Sequence, residues 1–171
     1  MGILLALILI LFAAFSRLIP HAPNFTPVIS ITLFAGAYLK KAYAFLVPVA
    51  ALFLSDMVIG FYGLEMMAFV YGTIILIVVM GRLLEKKVSA GKVLGLSLAG
   101  AAVFFVTTNF AVWLVPGSIY PKTLAGLAQC YVMAIPFFGN TLLSTLVYSA
   151  AMFGIYEVAE TFVLKPKTVQ E

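Results

Sequence analysis

A succession of apolar runs, several of bilayer length and broken only by short polar or proline-containing joints, constrains this chain more than any other feature. A membrane-spanning helix needs about 20 mostly apolar residues, because it rises 1.5 Å per residue through a hydrocarbon core roughly 30 Å thick. Taken in order, the runs give six candidate spans: residues 2–19, 26–39, 42–61, 65–83, 93–115 and 139–163, the second short for a full crossing. The sequence therefore predicts an all-α, polytopic six-helix membrane bundle, with one transmembrane domain over residues 1–164 and a short polar cytoplasmic tail over residues 165–171. The first run has no Lys or Arg before it and no small-residue cleavage pattern, so it is expected to be a retained span. The longest connection, Pro116 to Phe138, contains a helix-compatible stretch from Thr123 to Ile135, expected to lie along the surface or dip in before Pro136.

Composition bears on which partners such a bundle meets. With 64% hydrophobic and 9% charged residues and a mean hydropathy of +1.18, the lipid bilayer is the first of them, and 171 residues leave no room for a soluble domain. The formal charge of +4 is read as anchoring charge, not as a nucleic-acid footprint. Six spans sort the ten cations unevenly. Lys40, Lys41, Arg82, Lys86, Lys87, Lys92, Lys165 and Lys167 fall on the side of the termini, and only Arg17 and Lys122 fall opposite. Eight against two is a positive-inside signal, which predicts both termini in the cytoplasm.

On that map the polar residues inside the spans gather at the outer end. The segment from Arg17 to Pro27 is a proline-stiffened elbow holding the chain's single histidine and three of its eight prolines. Asp56 lies roughly 6 Å below the outer end of the third span and Asn109 roughly 10 Å below that of the fifth. Asn140 opens the sixth. Together with Arg17, His21, Asn24, Glu65, Trp113 and Tyr120 they form a candidate substrate-binding cluster, because ionisable and amide groups at such depth face protein or water rather than lipid. In this reading Arg17 and His21 contact an anionic or hydrogen-bonding group, and Asp56 is Arg17's counter-ion or meets a cationic one. Asn109 and Asn140 supply amides, while Trp113 and Tyr120 wall the cavity. Simpler roles stay open: Arg17 snorkelling, Glu65 as an N-terminal helix charge, Trp113 in an aromatic belt, and Asp56 paired with Arg17 alone. Asn24 or Thr26 can cap the second span, and Pro27 suits its first turn.

Small residues mark a second surface. Gly91, Gly95 and Ala99 recur every four residues in the fifth span, and Ala150 and Gly154 do the same in the sixth. Such ridges let helices approach closely, either within the bundle or against a partner helix. Glu157 and Glu160 lie near the inner end of the last span, either as a solvated face or as partners of Lys165 or of a basic residue on another chain.

Catalytic patterns are thin. One His and one Cys cannot form most Ser-His-Asp sets, H-E-x-x-H zinc sites or Cys/His clusters, and no Gly-rich phosphate loop is present, so the chain is expected to be no enzyme and to carry no cofactor or resident metal site. A pore calls for polar residues along a whole helix, and polarity here is expected to stop at mid-depth.

The string R-L-I-P-H-A-P-N-F-T-P from Arg17, with S-D-M-V-I-G around Asp56, V-T-T-N-F-A-V-W-L around Asn109, Y-P-K-T-L-A-G from Tyr120 and G-N-T-L-L around Asn140, resembles a family of uncharacterised bacterial inner-membrane proteins over residues 15 to about 156. In layout the chain is similar to the substrate-binding S components of energy-coupling factor transporters. That likeness implies capture of a vitamin, another nutrient or a metal ion from the outside, a separate transmembrane coupling subunit with ATPases, and an inner-membrane location. One departure stands out: the family pattern implies Gly-Asp after N-T-L-L, and this chain has Ser144-Thr145. The non-catalytic alternative is a structural or assembly protein, which would depend on Gly95 and Gly154 rather than on the outer cluster.

Overall fold

Inside hydrocarbon every backbone N–H and C=O must be paired within its own segment, so apolar runs of this composition fold as helices. In the computed structural model, which describes residues 2–40 and 42–164, they do so throughout. Lys41, Lys165 and Lys167 of the charge map, and the tail over residues 165–171, lie outside the described residues. Among the described residues there are six α-helices: α1 (Gly2–Ser16), α2 (Val28–Tyr38), α3 (Tyr43–Ile59), α4 (Leu64–Gly81), α5 (Ala90–Leu114) and α6 (Leu124–Ala159). A 3-10 turn, Arg82–Leu84, extends α4, and a π-helical turn, Glu160–Leu164, extends α6. Three of these stretches are long and apolar enough to cross a membrane, Leu64–Leu84, Ala90–Leu114 and Leu124–Phe162; α1, α2 and α3 are apolar but shorter.

The helices alternate in direction. Arg17 after α1 meets Asp56 near the end of α3, and Tyr71 in α4 meets the same carboxylate. At the other end Arg82 after α4 reaches the Leu39 carbonyl after α2. Along α5 and α6, Val106 pairs with Tyr131 and Ser97 with Ser149, as antiparallel neighbours do. The elbow therefore lies at the same end as the α3–α4 and α5–α6 connections.

At the centre lies α2, the shortest helix. All ten residues from Val28 to Ala37 are buried, and the helix packs against each of the other five. A helix that is apolar all round has no face to give to water and is stable only when enclosed. Its closest neighbour is α4. A Cβ on Gly81 would come within 2.5 Å of the Leu33 carbonyl oxygen, and one on Gly36 within 2.9 Å of the Gly81 Cα, so the two backbones touch where they cross. Phe34 packs edge-on against Phe153 and Tyr156 of α6.

Three expectations are corrected. Residues 116–138 are not one long connection: the loop ends at Thr123, whose hydroxyl caps α6 by accepting from the Gly126 N–H at 3.1 Å, and the helix then runs through Pro136 without a break. A proline removes one intrahelical hydrogen bond but does not end a helix supported by neighbours, and α6 reaches roughly 54 Å at 1.5 Å per residue. Secondly, neither Asn24 nor Thr26 caps α2. Pro27 occupies the N-cap position, with no side-chain cap. Asn24 instead takes the left-handed backbone conformation (φ 61°) that asparagine tolerates, turning the elbow.

Thirdly, polarity does not stop at mid-depth. Ser30, Ser97, Ser144, Thr145 and Ser149 are buried along the interface of α2, α5 and α6, well past the Asn109 level. Their hydroxyls bond to one another or to backbone carbonyls, which lets a run of high hydropathy carry them.

Candidate functional site

At the elbow end, Arg17 leaves α1 and folds inward between α2 and α3. Its Nη2 donates to Asp56 Oδ1 at 2.8 Å, and its Nη1 to the Ser55 hydroxyl and, at 3.3 Å, to the Leu52 carbonyl. Asp56 is 2% exposed and Arg17 13%, so this is a buried ion pair. The second carboxylate oxygen accepts the Tyr71 hydroxyl at 2.8 Å. Tyr71 lies two turns into α4, and helical side chains lean toward the helix N-terminus, which carries its hydroxyl back up to the depth of Asp56. Removing two charges from water costs several kcal/mol each unless their lone pairs and protons find partners, and here nearly all do. The exception is Nε of Arg17, buried with no partner among the described residues.

Beside the pair lies a cavity of about 170 Å³. Its polar wall is Arg17, Asn24, Thr26, Tyr62 and Thr141; Val28, Leu52, Val70 and Phe104 form much of the apolar wall. Burial pushes the Tyr62 hydroxyl up to about 12, the Asp56 carboxylate adding to the shift and Arg17 opposing it, so it stays a proton donor at any physiological pH. The charges of Arg17 and Asp56 cancel in sum, so the chamber presents a guanidinium already held in its ion pair beside hydroxyl and amide groups.

Of the sequence-derived cluster, Arg17, Asp56 and Asn24 come together here. Asn140 is close by, but its amide donates to the Pro23 carbonyl at 2.9 Å and straps the elbow to α6. His21 is exposed and bonds to the Ile19 carbonyl within the elbow. Glu65 is exposed in the first turn of α4. The Asn109 amide is taken by the Phe105 carbonyl of its own helix, at 2.8 Å. Trp113 lies in the last turn of α5 and faces the α5–α6 loop, its indole donating to the Pro121 carbonyl at 2.8 Å and Lys122 sitting over its ring. Tyr120 lies in the same loop, its N–H on the Ser118 hydroxyl. None of these last five lines the cavity. Sequence reasoning passed over Ser55, Tyr62, Tyr71, Thr26 and Thr141. Depth counting of the kind that placed Asp56 also puts Tyr71 within a long side chain's reach.

The small-residue ridges lie elsewhere. Gly91, Gly95 and Ala99 are exposed, as are Ala150 and Gly154, and a Cβ on any of the three glycines would meet nothing within 4 Å. Ala150 and Gly154 border a second cavity of about 440 Å³ between α5 and α6, at the end opposite the elbow, where Ser97, Ser149 and Glu157 also contribute to the wall. Tyr38 of α2 donates to the Glu157 carboxylate at its edge.

The chain belongs to a family of unknown function, DUF6580, which it matches over residues 1–167. No curated protein and no solved structure matches it.

Proposed function

We propose that this member of a family of unknown function is a six-span membrane protein that captures a small molecule in the elbow cavity from the outer side, as the substrate-specificity subunit of a transporter. The observation that carries the reading is the 170 Å³ chamber built against a buried ion pair. Sites for drug-sized ligands run from about 300 Å³ upward, and a water occupies about 30 Å³ of liquid, so the chamber suits a molecule of roughly half a dozen non-hydrogen atoms. Arg17, Asn24, Thr26, Tyr62 and Thr141 in its wall supply hydrogen-bonding groups, mostly donors with some acceptors, for an oxygen-bearing molecule. Vitamin-sized cargo, as in the S components the layout resembles, would need the elbow to open. The exposed ridge Gly91–Gly95–Ala99 is the surface on which a transmembrane coupling subunit would pack, with energy supplied by that subunit's ATPases. The bias of Lys and Arg toward the end opposite the elbow supports cytoplasmic termini in an inner membrane.

The reading is tested by native mass spectrometry of the detergent-purified protein, followed by release of whatever it carries. A small oxygen-bearing molecule at near one-to-one occupancy is expected, lost in Thr26→Leu, which fills the chamber, and kept in His21→Ala, which does not touch it. An empty protein, or a ligand that survives Thr26→Leu, overturns it.

A further inference from the structure

Four hydroxyl residues of α6, Thr141, Ser144, Thr145 and Ser149, are spaced at i, i+3, i+4 and i+8 and so share one face. That face is turned inward: Thr141 is 7% exposed, Ser144 0%, Thr145 1% and Ser149 2%. The Thr145 hydroxyl donates to the Thr141 carbonyl at 2.7 Å, and Ser30 of α2 donates to the Thr145 carbonyl at 2.9 Å. Ser149 donates to Ser30 at 3.0 Å and Ser97 of α5 to Ser149 at 3.0 Å, so the bonds form one connected column. Its two ends open on the two cavities. Thr141 lines the elbow chamber, and Ser97 and Ser149 line the 440 Å³ cavity at the far end. Ser89 and Glu157 also line that cavity, with Lys86, Lys87 and Lys92 close to Ser89 in sequence.

We propose that this seam between α2, α5 and α6 is a closed solute route joining the elbow chamber to the far cavity, and that its cargo is a small uncharged polyol or amide. The proposal rests on the elbow chamber being a capture site. Serine and threonine commonly hold membrane helices together, but packing alone needs no cavity at either end of the column. The seam contains hydroxyls and no charged residue, so it can exchange hydrogen bonds with a neutral solute but cannot offset the desolvation of an ion. In the present state it is shut, its hydroxyls bonded to one another or to backbone carbonyls. Opening requires α6 to part from α2, and Pro136, five residues before Thr141, cannot supply the N–H that would bond the Val132 carbonyl.

The test uses the full chain in proteoliposomes with glycerol as the probe, its uptake followed by light scattering. Uptake several-fold above protein-free vesicles is expected, falling to background in Ser149→Leu and Ser97→Leu and unchanged in Leu98→Ala, on the exposed side of α5. Ser149→Ala, which keeps the packing but breaks the column, is expected to give an intermediate rate and serves if the leucine variants do not fold. Glycerol uptake equal to protein-free vesicles, or uptake indifferent to Ser149→Leu in a folded protein, overturns the route. A bound molecule seen by native mass spectrometry without uptake overturns the route and leaves elbow capture standing. Uptake that persists in Thr26→Leu but stops in Ser149→Leu overturns the route from the elbow chamber.

Discussion

The two ends of the bundle solve the burial of polar groups in opposite ways. At the elbow end a full charge pair is taken out of water, and Ser55, Tyr71 and the Leu52 carbonyl are drawn in to satisfy it, which leaves a narrow chamber. At the far end the polar groups are hydroxyls and a carboxylate at the rim, and the cavity is more than twice as large. Buried charge demands many fixed partners, and fixed partners leave little free volume; hydroxyls demand few and tolerate space. The elbow end should therefore be rigid and sensitive to substitution, and the far end forgiving.

The largest expected effect breaks the elbow end. Asp56→Ala strands Arg17 as an uncompensated charge, at a cost of about 3–5 kcal/mol, and thermal unfolding in detergent should show a variant that barely folds. Arg17→Met with Asp56→Leu, which removes both charges, should recover most of that stability while abolishing ligand retention. If the double variant is as unstable as Asp56→Ala, the ion pair is not what organises this end.

Next comes the α2–α4 crossing. Gly81→Ala drives a methyl into the Leu33 backbone and should cost about 1–3 kcal/mol in the same assay, whereas Gly95→Ala meets open space within α5 and should raise stability by up to about 1 kcal/mol. Equal effects at the two glycines would mean that α5 packs against something in the folded protein that the described residues do not supply. Tyr71→Phe removes one hydrogen bond to a buried carboxylate and should cost about 1.5 kcal/mol. At the far end Tyr38→Phe should change stability by less than about 1 kcal/mol, because Glu157 is exposed and water replaces the lost donor. A Tyr38→Phe penalty as large as that of Tyr71→Phe would erase the contrast between the ends.

The helical class was legible because the bilayer leaves a chain few ways to pair its backbone, and apolar length alone announces that. Arg17 and Asp56 were legible for the related reason that a charge in such a run must have a partner. The Thr123 start of a helical stretch was also legible, but the continuity of α6 through Pro136 was not. Pro116, Pro121 and Pro136 punctuate the sequence alike, and only the packing of Tyr131 and Phe138 against Phe105 shows that the last of them is carried inside a continuous helix. His21 and Trp113, each single in the chain, and the aromatic Tyr120 drew attention by type near the elbow end, yet residue type says nothing about which way a side chain turns.

Sequence by itself determined that this chain is helical and of membrane type, that the α1–α2 joint is an elbow, and that Arg17 and Asp56 need company, because each follows from what a residue costs in hydrocarbon. Only the tertiary structure decided that α2 is the enclosed centre, that Gly36 and Gly81 rather than Gly95 and Gly154 mark the tightest crossing, and that the serines and threonines of α2, α5 and α6 form one column between two cavities. A serine or threonine can satisfy its hydroxyl on the preceding turn of its own helix and so is nearly neutral in an apolar run. Its direction, and thus its meaning, comes from the neighbours it meets after folding.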